Sequence, residues 1–394
     1  MFNTFAIKTM LKKNTMFIAL IALMILFHLL ISAVGSGSLF APTNISNIIS
    51  QNSYVVILAT GMLLCILSGG NIDLSVGSIV ALVGALAAYL IIILHWNIYI
   101  VMILCLFTGI AIGAWHGFWI AYIRIPAFIV TLAGMLLWRG VALIILNGLT
   151  LSPFPESYLR YFTGFIPGIK DKTLIFNVTV GTAILCCLIF TIKEIIQRIQ
   201  KRRKAYSVEN IGIFLIRIIL ISSMVIFLAT LLGRHKGIPV ILILLTFVVL
   251  VYTYITQNTV PGRYLYAMGG NERAAKLSGI DTNKALFFVY VNMGFLSALA
   301  ALVCVGRFNS AAPTAGINYE LDAIGSCFIG GASAYGGTGT VGGAVVGAIF
   351  MGVLNNGMSI LGIDSNWQKV VKGLVLLAAV AFDVLSKRRE KGSV

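Results

Sequence analysis

Gly262-Arg-Tyr-Leu-Tyr-Ala-Met-Gly-Gly-Asn-Glu-Arg-Ala-Ala-Lys-Leu-Ser-Gly-Ile280 is one of the longest water-compatible islands in this chain. Almost everything around it is apolar. The chain is 59% hydrophobic and only 10% charged, with a mean hydropathy of +1.00. Soluble domains carry about 25% charged residues, and a globule must still present a wetted surface. This composition therefore places the chain in a bilayer. A compact polar helix kept on one side of such a protein implies something to dock there.

Working outward, a spanning helix needs roughly 20 apolar residues. Candidate spans read as Met16–Val34, Tyr54–Ser68, Leu74–Leu94, Ile98–Ile123, Ala127–Leu146, Leu174–Ile192, Ile211–Leu232, Ile238–Ile255, Ala285–Val305, Leu321–Ala334, Gly339–Leu361 and Trp367–Val384. The second and tenth are short and adjoin glycines, which marks them as broken or re-entrant. The expected fold is an all-α polytopic membrane protein with about 10–12 transmembrane helices, some short or re-entrant, forming a single transmembrane domain over residues 1–394. The longest polar interruptions are Asn147–Thr173, Glu194–Asn210 and Gln257–Lys284. The first carries Pro153, Pro155 and Pro167 and reads as an irregular loop. The basic loop 194–210 extends a helix beyond the membrane, fixing topology and meeting anionic lipid.

The formal charge of +16 follows the positive-inside rule. With twelve crossings, four basic clusters share one side: Lys8, Lys12 and Lys13; Lys193 to Lys204; Arg263, Arg273, Lys276 and Lys284; and Lys387, Arg388, Arg389 and Lys391. That side is assigned to the cytoplasm, with both termini on it. No basic domain interleaved with aromatics supports nucleic-acid binding. The six cysteines lie in apolar runs without metal-ligand spacing and read as small core residues. Trp115, Trp119 and Trp138 suit an interfacial belt.

Two Gly-rich breaks interrupt the apolar pattern: Ser68-Gly-Gly-Asn-Ile-Asp-Leu-Ser-Val-Gly-Ser78 and Ile329-Gly-Gly-Ala-Ser-Ala-Tyr-Gly-Gly-Thr-Gly339. Paired breaks in a transporter mark the substrate path, where helix ends and carbonyls offer polar groups. Gly109/Gly113/Gly117, Gly339/Gly343/Gly347 and Gly77/Ala81/Ala85 are spaced four apart and read as close-packing helix faces.

Asp73 has two readings. An ionisable group at membrane depth is a functional candidate; equally, Asp73 or Ser75 starts a helix by accepting a backbone N–H. The candidate path comprises Asn71, Asp73, Ser75, Phe128, Thr131, Asn355 and Asn356. Arg139 is placed to snorkel, and Arg307 and Asp322 to pair. No nucleophile–base–acid set, cofactor site or metal site stands out, and no phosphate-binding loop with its lysine occurs. A nucleotide engine must come from elsewhere, and no enzymatic activity is expected. In the island, Asn271 caps a short helix and Gly279 stops it, with Ala274, Ala275 and Leu277 as an apolar stripe.

Four motifs in order carry a resemblance: Asn71-Ile-Asp-Leu-Ser-Val-Gly-Ser78, Ile125-Pro-Ala-Phe-Ile-Val-Thr-Leu-Ala-Gly-Met135, Ala267 through Ile280, and Leu321-Asp-Ala-Ile-Gly-Ser-Cys-Phe-Ile-Gly-Gly-Ala-Ser333. Together they resemble the permease subunits of ATP-binding-cassette monosaccharide importers, in the ribose/xylose/galactose branch. Leu354-Asn-Asn-Gly-Met-Ser359, Trp367-Gln-Lys-Val-Val-Lys-Gly-Leu374 and the basic insertion around Arg198–Tyr206 look like the xylose and multiple-monosaccharide permeases. The resemblance implies a homodimeric pore in the bacterial inner membrane, cytoplasmic ATPase subunits and an extracytoplasmic sugar-binding protein. It also implies that Gly269, Gly270, Asn271, Glu272, Arg273, Ala274, Ala275, Lys276, Ser278 and Gly279 form the coupling helix region seated in the ATPase. The alternative is an ion-coupled secondary sugar transporter that uses Asp73.

Overall fold

The computed structural model describes residues 15–35, 37–169, 171–204, 206, 208 and 210–391. The basic clusters at Lys8–Lys13 and Lys387–Lys391 fall outside the described side chains. The architecture is a helical bundle. In order its helices are α1 (Thr15–Val34), α2 (Pro42–Gln51), α3 (Ser53–Leu67), α4 (Val76–Ala88), α5 (Ile98–Gly117), α6 (Ala127–Leu146), α7 (Glu156–Thr163), α8 (Lys172–Arg203), α9 (Ile211–Gly233), α10 (Val240–Asn258), α11 (Val260–Gly270), α12 (Glu272–Leu277), α13 (Thr282–Phe308), α14 (Tyr319–Ile329), α15 (Val341–Ile360) and α16 (Ser365–Lys391). Helices α4 and α5 each end in a π-helical turn, Tyr89–Ile93 and Phe118–Tyr122.

Among the described residues, nine helices are long and apolar enough to cross a membrane, or ten when the α2–α3 pair, bent by 40°, is one span. Two expected spans change character. Leu321–Ala334 overlaps only the eleven-residue α14, which rises about 16 Å against a hydrocarbon core of about 30 Å. An irregular stretch from Asn309 to Asn318 leads into it, partly buried, with Ala311 and Gly316 turned inward and Thr314 and Ile317 exposed. Helix α16 is long, but Lys369, Lys372 and Asp383 interrupt it, and it lies outside the nine.

The interior is built by α3, α4, α13 and α15. Nearly every residue of α3 is buried, and the apolar windows of α4 and α13 are 78% and 72% buried. A helix apolar all round belongs at the centre of such a bundle. In contrast, α8 and α9 are only 11% buried. They form a peripheral hairpin exposed along most of its length. Cys186 is exposed there, whereas Cys65, Cys105, Cys304 and Cys327 are the buried cysteines.

The small-residue spacings mark real contacts. An added Cβ at Gly109 would sit 2.4 Å from the Gly294 carbonyl oxygen, and one at Gly113 would sit 2.3 Å from that of Tyr290. Helices α5 and α13 thus cross backbone to backbone. Gly343 and Gly347 approach the carbonyls of Gly330 and Ser326 in the same way. Gly339 does not join that face, because α15 begins at Val341 and Gly339 lies in the preceding loop at φ +145°.

The stretch Asn147–Thr173 is more ordered than its prolines suggest. It holds α7, whose buried Tyr158 hydroxyl donates to the Leu302 carbonyl at 2.8 Å. It also holds β1 (Phe165–Ile166), paired antiparallel with β2 (Ile238–Pro239). That pair brings the two ends of the α8–α9 hairpin together.

Candidate functional site

The polar island folds as α11, a sharp joint at Asn271, and α12. Asn271 adopts an extended conformation, and its side chain accepts from the Ala274 N–H at 3.0 Å. At the other end Gly279 takes φ +86°, a conformation that costs glycine little. The Gly279 N–H donates to the Lys276 carbonyl and the Ile280 N–H to that of Ala275, each at 3.1 Å. This pair of bonds is a Schellman closure. Ile280 also joins Ala275, Met268, Leu286 and Ala121 in a small cluster that seats α12 on the bundle. The cap and the stop are where the sequence put them.

The apolar stripe is not. Successive residues on a helix lie about 100° apart, so Ala275 turns inward while Ala274 faces out. Only Ala275 is buried; Leu277, three residues beyond Ala274, is 90% exposed. Glu272, Arg273, Lys276 and Ser278 are exposed beside it. The outward face of α12 is therefore a mixed surface with one prominent leucine and several charges.

Sequence reading missed Arg124. It sits in the α5–α6 connection at φ +65°. Its guanidinium pairs with Glu272 at 2.6 Å, donates to Thr282 Oγ1 at 3.0 Å and also donates to Asn283 Oδ1. One side chain thus ties α12 to the first turn of α13. A clue was present: a lone arginine immediately before Ile125-Pro126, on the same membrane face as the island by the crossing count.

Behind α12 the two Gly-rich breaks meet each other and α11. The Gly337 N–H donates to the Leu67 carbonyl at 3.2 Å, and the Tyr266 hydroxyl of α11 donates to the Gly339 carbonyl at 2.8 Å. A Cβ at Gly269 would fall 2.0 Å from the Leu67 oxygen and 2.3 Å from the Gly337 nitrogen. One at Gly70 would fall 2.3 Å from the Ala334 oxygen. Three backbones meet here with no space for side chains. Gly270, in contrast, faces open space.

In the first break Asp73 is 1% exposed. Its Oδ1 accepts from the Ser75 N–H at 2.8 Å and from the Ser75 hydroxyl at 2.5 Å, an Asx turn leading into α4. The Ser75 hydroxyl lies 3.5 Å from His116 Nδ1, and Trp138 Nε1–H donates to His116 Nε2 at 3.2 Å. With Nε2 accepting, Nδ1 carries the proton, and the bonds run in one sense from histidine through serine to the carboxylate. Sequence reading treated His116 as one of four scattered histidines and Trp138 as an interfacial belt residue; together they link α5 and α6 to the first break.

The remaining path candidates occupy separate settings. Asn71 Nδ2 donates to Ser68 Oγ at 3.3 Å within the first break. Thr131 is buried and donates to the Ala127 carbonyl of its own helix. Phe128 is 54% exposed on the outer surface of α6. Asn356 and Asn44 exchange reciprocal amide bonds at 3.0 Å, tying α15 to α2. Asn355 Oδ1 is buried without a partner.

Two expected charge placements are corrected. Asp322 does not pair with Arg307. It pairs with Lys372 of α16 at 3.0 Å and accepts from the Tyr54 hydroxyl at 3.2 Å, because α14 turns it toward α16. Arg139 does not snorkel outward. Its guanidinium donates to the Pro313 and Ala315 carbonyls, satisfying the irregular stretch before α14.

Comparison with known proteins agrees with this architecture. Residues 44–380 match the family described as "Branched-chain amino acid transport system / permease component". The xylose transport system permease protein of Escherichia coli strain K12 is 38% identical over 383 residues, covering 95% of this chain and 92% of that protein. Its counterpart from Haemophilus influenzae is 35% identical over 374 residues, covering 95% and 96%. The ribose import permease protein of Escherichia coli strain K12 is 37% identical over 365 residues, covering 93% and 92%. No solved structure matches the chain at a significant level. The match across nearly the whole bundle, both breaks included, makes this chain a member of the branched-chain amino acid transport system permease family.

Proposed function

We propose that this chain is the membrane-spanning subunit of an ATP-driven monosaccharide importer, with xylose or a related sugar as cargo. The observation that carries the reading is α12: capped at both ends, clasped by Arg124, presenting Leu277 to solvent, and backed by the joint where α11 meets both breaks. A cytoplasmic ATPase subunit docks on its outer face. Movement of α12 reaches Gly269 directly, and through it the backbones of Leu67 and Gly337. A nucleotide shifts such an equilibrium only by its differential affinity for the two states, so the transport cycle needs that partner. The chain works as a homodimer, with an extracytoplasmic binding protein delivering sugar. The α12 face and both termini lie in the cytoplasm of a bacterium, and the path follows the breaks that hold Asn71, Asp73 and Ser75. The support for xylose is the identity to xylose permeases over almost the whole chain.

The ion-coupled alternative rests on Asp73, whose carboxylate is already committed to Ser75. The two readings separate in sealed vesicles. The purified chain alone accumulates no labelled xylose under a proton or sodium gradient, and addition of its ATPase and binding protein with ATP restores uptake. Uphill uptake by the chain alone overturns the proposal. The variant Glu272→Lys reverses the charge facing Arg124 and loses most ATP-dependent uptake together with ATPase association; retention of both removes α12 from the docking role.

A further inference from the structure

Taking the importer reading as given, we infer that Glu320 binds the sugar in transit: its carboxylate accepts monosaccharide hydroxyls where the starts of α4 and α14 meet inside the membrane. Two residues after Ser75, Gly77 packs backbone to backbone on Gly316 of the irregular stretch. A Cβ at Gly77 would also meet Glu320 Oε2 at 2.5 Å, so the carboxylate lies against the first turn of α4. Ser78, the next residue of that turn, is buried with its hydroxyl unpartnered. The charged groups around the start of α14 differ in what they already hold. Asp322 has Lys372 at 3.0 Å. Arg139 donates to the Pro313 and Ala315 carbonyls. Its charge is felt at Glu320, and the backbone N–H groups of Asn318 and Glu320 face the carboxylate. Yet among the described residues Glu320 has no ion-pair partner.

Depth gives that carboxylate its meaning. Arg139 lies seven residues from the end of α6, and Lys372 seven from the start of α16. Both helix ends lie on the side opposite α12, so the charged groups flanking α14 sit about 10 Å inside the bilayer. An acid without a cation is costly to leave facing hydrocarbon at that depth and marks a substrate path. Glu320 is only partly buried, and its neighbours Leu321 and Ile317 are 43% and 52% exposed. Its open side therefore faces a wet passage. Helix α4 follows the first break and α14 leads into the second, and discontinuous helices are where transporters hold substrate. Asp322 is balanced by Lys372 and Glu320 by the nearby Arg139, so the neighbourhood attracts no ion strongly. A neutral molecule rich in hydroxyls suits it. An ionised carboxylate has about four acceptor sites, and two backbone donors leave room for sugar hydroxyls. The stacked Tyr54 and Tyr319 rings, with centroids 3.9 Å apart, help pin the start of α14 and so hold Glu320 in place.

The test uses the full chain assembled with its ATPase and binding protein in vesicles, with labelled xylose as the probe. Glu320→Ala lowers uptake per ATP hydrolysed by about tenfold or more, the loss of a hydrogen bond to an ionised group, while ATP hydrolysis and the thermal midpoint stay native. Glu320→Gln keeps an acceptor oxygen and stays within about threefold of native. Leu321→Cys reads the same opening with Glu320 intact, in a chain whose Cys186 and Cys187 are replaced by serine. A water-soluble maleimide labels it, and saturating xylose slows the labelling where sucrose does not. This second arm decides the matter if Glu320→Ala fails to assemble. Native uptake by Glu320→Ala, a Glu320→Gln importer as defective as Glu320→Ala, or labelling of Leu321→Cys that is absent or indifferent to xylose overturns the inference. Any of these with uptake by the native assembly intact removes only the Glu320 assignment; no ATP-driven xylose uptake by the native assembly removes the importer reading itself.

Discussion

Asp73 and Asn271 perform one chemical task in two environments. Each offers a side-chain oxygen to a backbone N–H just inside a helix start, Ser75 in one case and Ala274 in the other. Asn271 does so in water and Asp73 inside the bundle, where an unpaired donor costs about 1–3 kcal/mol. The acceptor oxygen, rather than the charge, is what the Asx turn needs. Asp73→Asn therefore keeps the fold and ATP-dependent uptake near the native level. Asp73→Ala strands both Ser75 donors, and the thermal midpoint in detergent falls by several degrees. An uptake collapse in Asp73→Asn with an unchanged midpoint returns the carboxylate to the ion-binding role. Arg124 and Glu272 present the opposite case. Their side chains are 40% and 47% exposed, and such pairs contribute about 0–1 kcal/mol. Arg124→Ala accordingly leaves the midpoint unmoved while lowering uptake, because α12 loses its lateral tie.

At the scale of elements, the joint between α11 and the breaks offers a sharp comparison within one dipeptide. Gly269→Ala places a methyl group against the Leu67 carbonyl and the Gly337 amide; Gly270→Ala places one in open space. Overpacking at a rigid contact costs about 1–3 kcal/mol and shifts backbone. Gly269→Ala in the assembled importer should hydrolyse ATP with uptake reduced severalfold, whereas Gly270→Ala should be close to native. Equal behaviour of the two variants removes the joint from the coupling route. The sequence made the elements on each side of this joint legible, and the reason is locality. Asn271 and Gly279 bracket seven residues, and four-residue glycine spacing identifies a helix face from a single turn. The partners of those faces were not legible. Arg124 and Glu272 are separated by 148 positions, and His116 meets Ser75 across 41. Hydropathy marks the apolar helices that carry or flank them without saying which helices touch. It also counts a short helix such as α14 among the candidate spans.

Across the whole molecule the apolar composition conceals a division of labour. Most residues in the apolar windows of α4, α13 and α15 are buried, whereas only 11% of those in α8 and α9 are. In lipid there is little hydrophobic drive between helices, so association depends on packing contacts and hydrogen bonds. The hairpin has few of either, apart from modest packing of α9 on α2 and the β1–β2 pair at its base. Since that pair holds the ends of the hairpin close, a short Gly/Ser linker can replace residues 172–233 with a small closure cost, because loop entropy grows only slowly with length. The shortened chain should insert, fold and support ATP-dependent uptake with its partners. Detergent thermal unfolding and vesicle uptake on the same preparation test these outcomes together. A shortened chain that fails to fold makes the hairpin part of the structural core, whereas one that folds and no longer supports uptake gives the hairpin a part in transport.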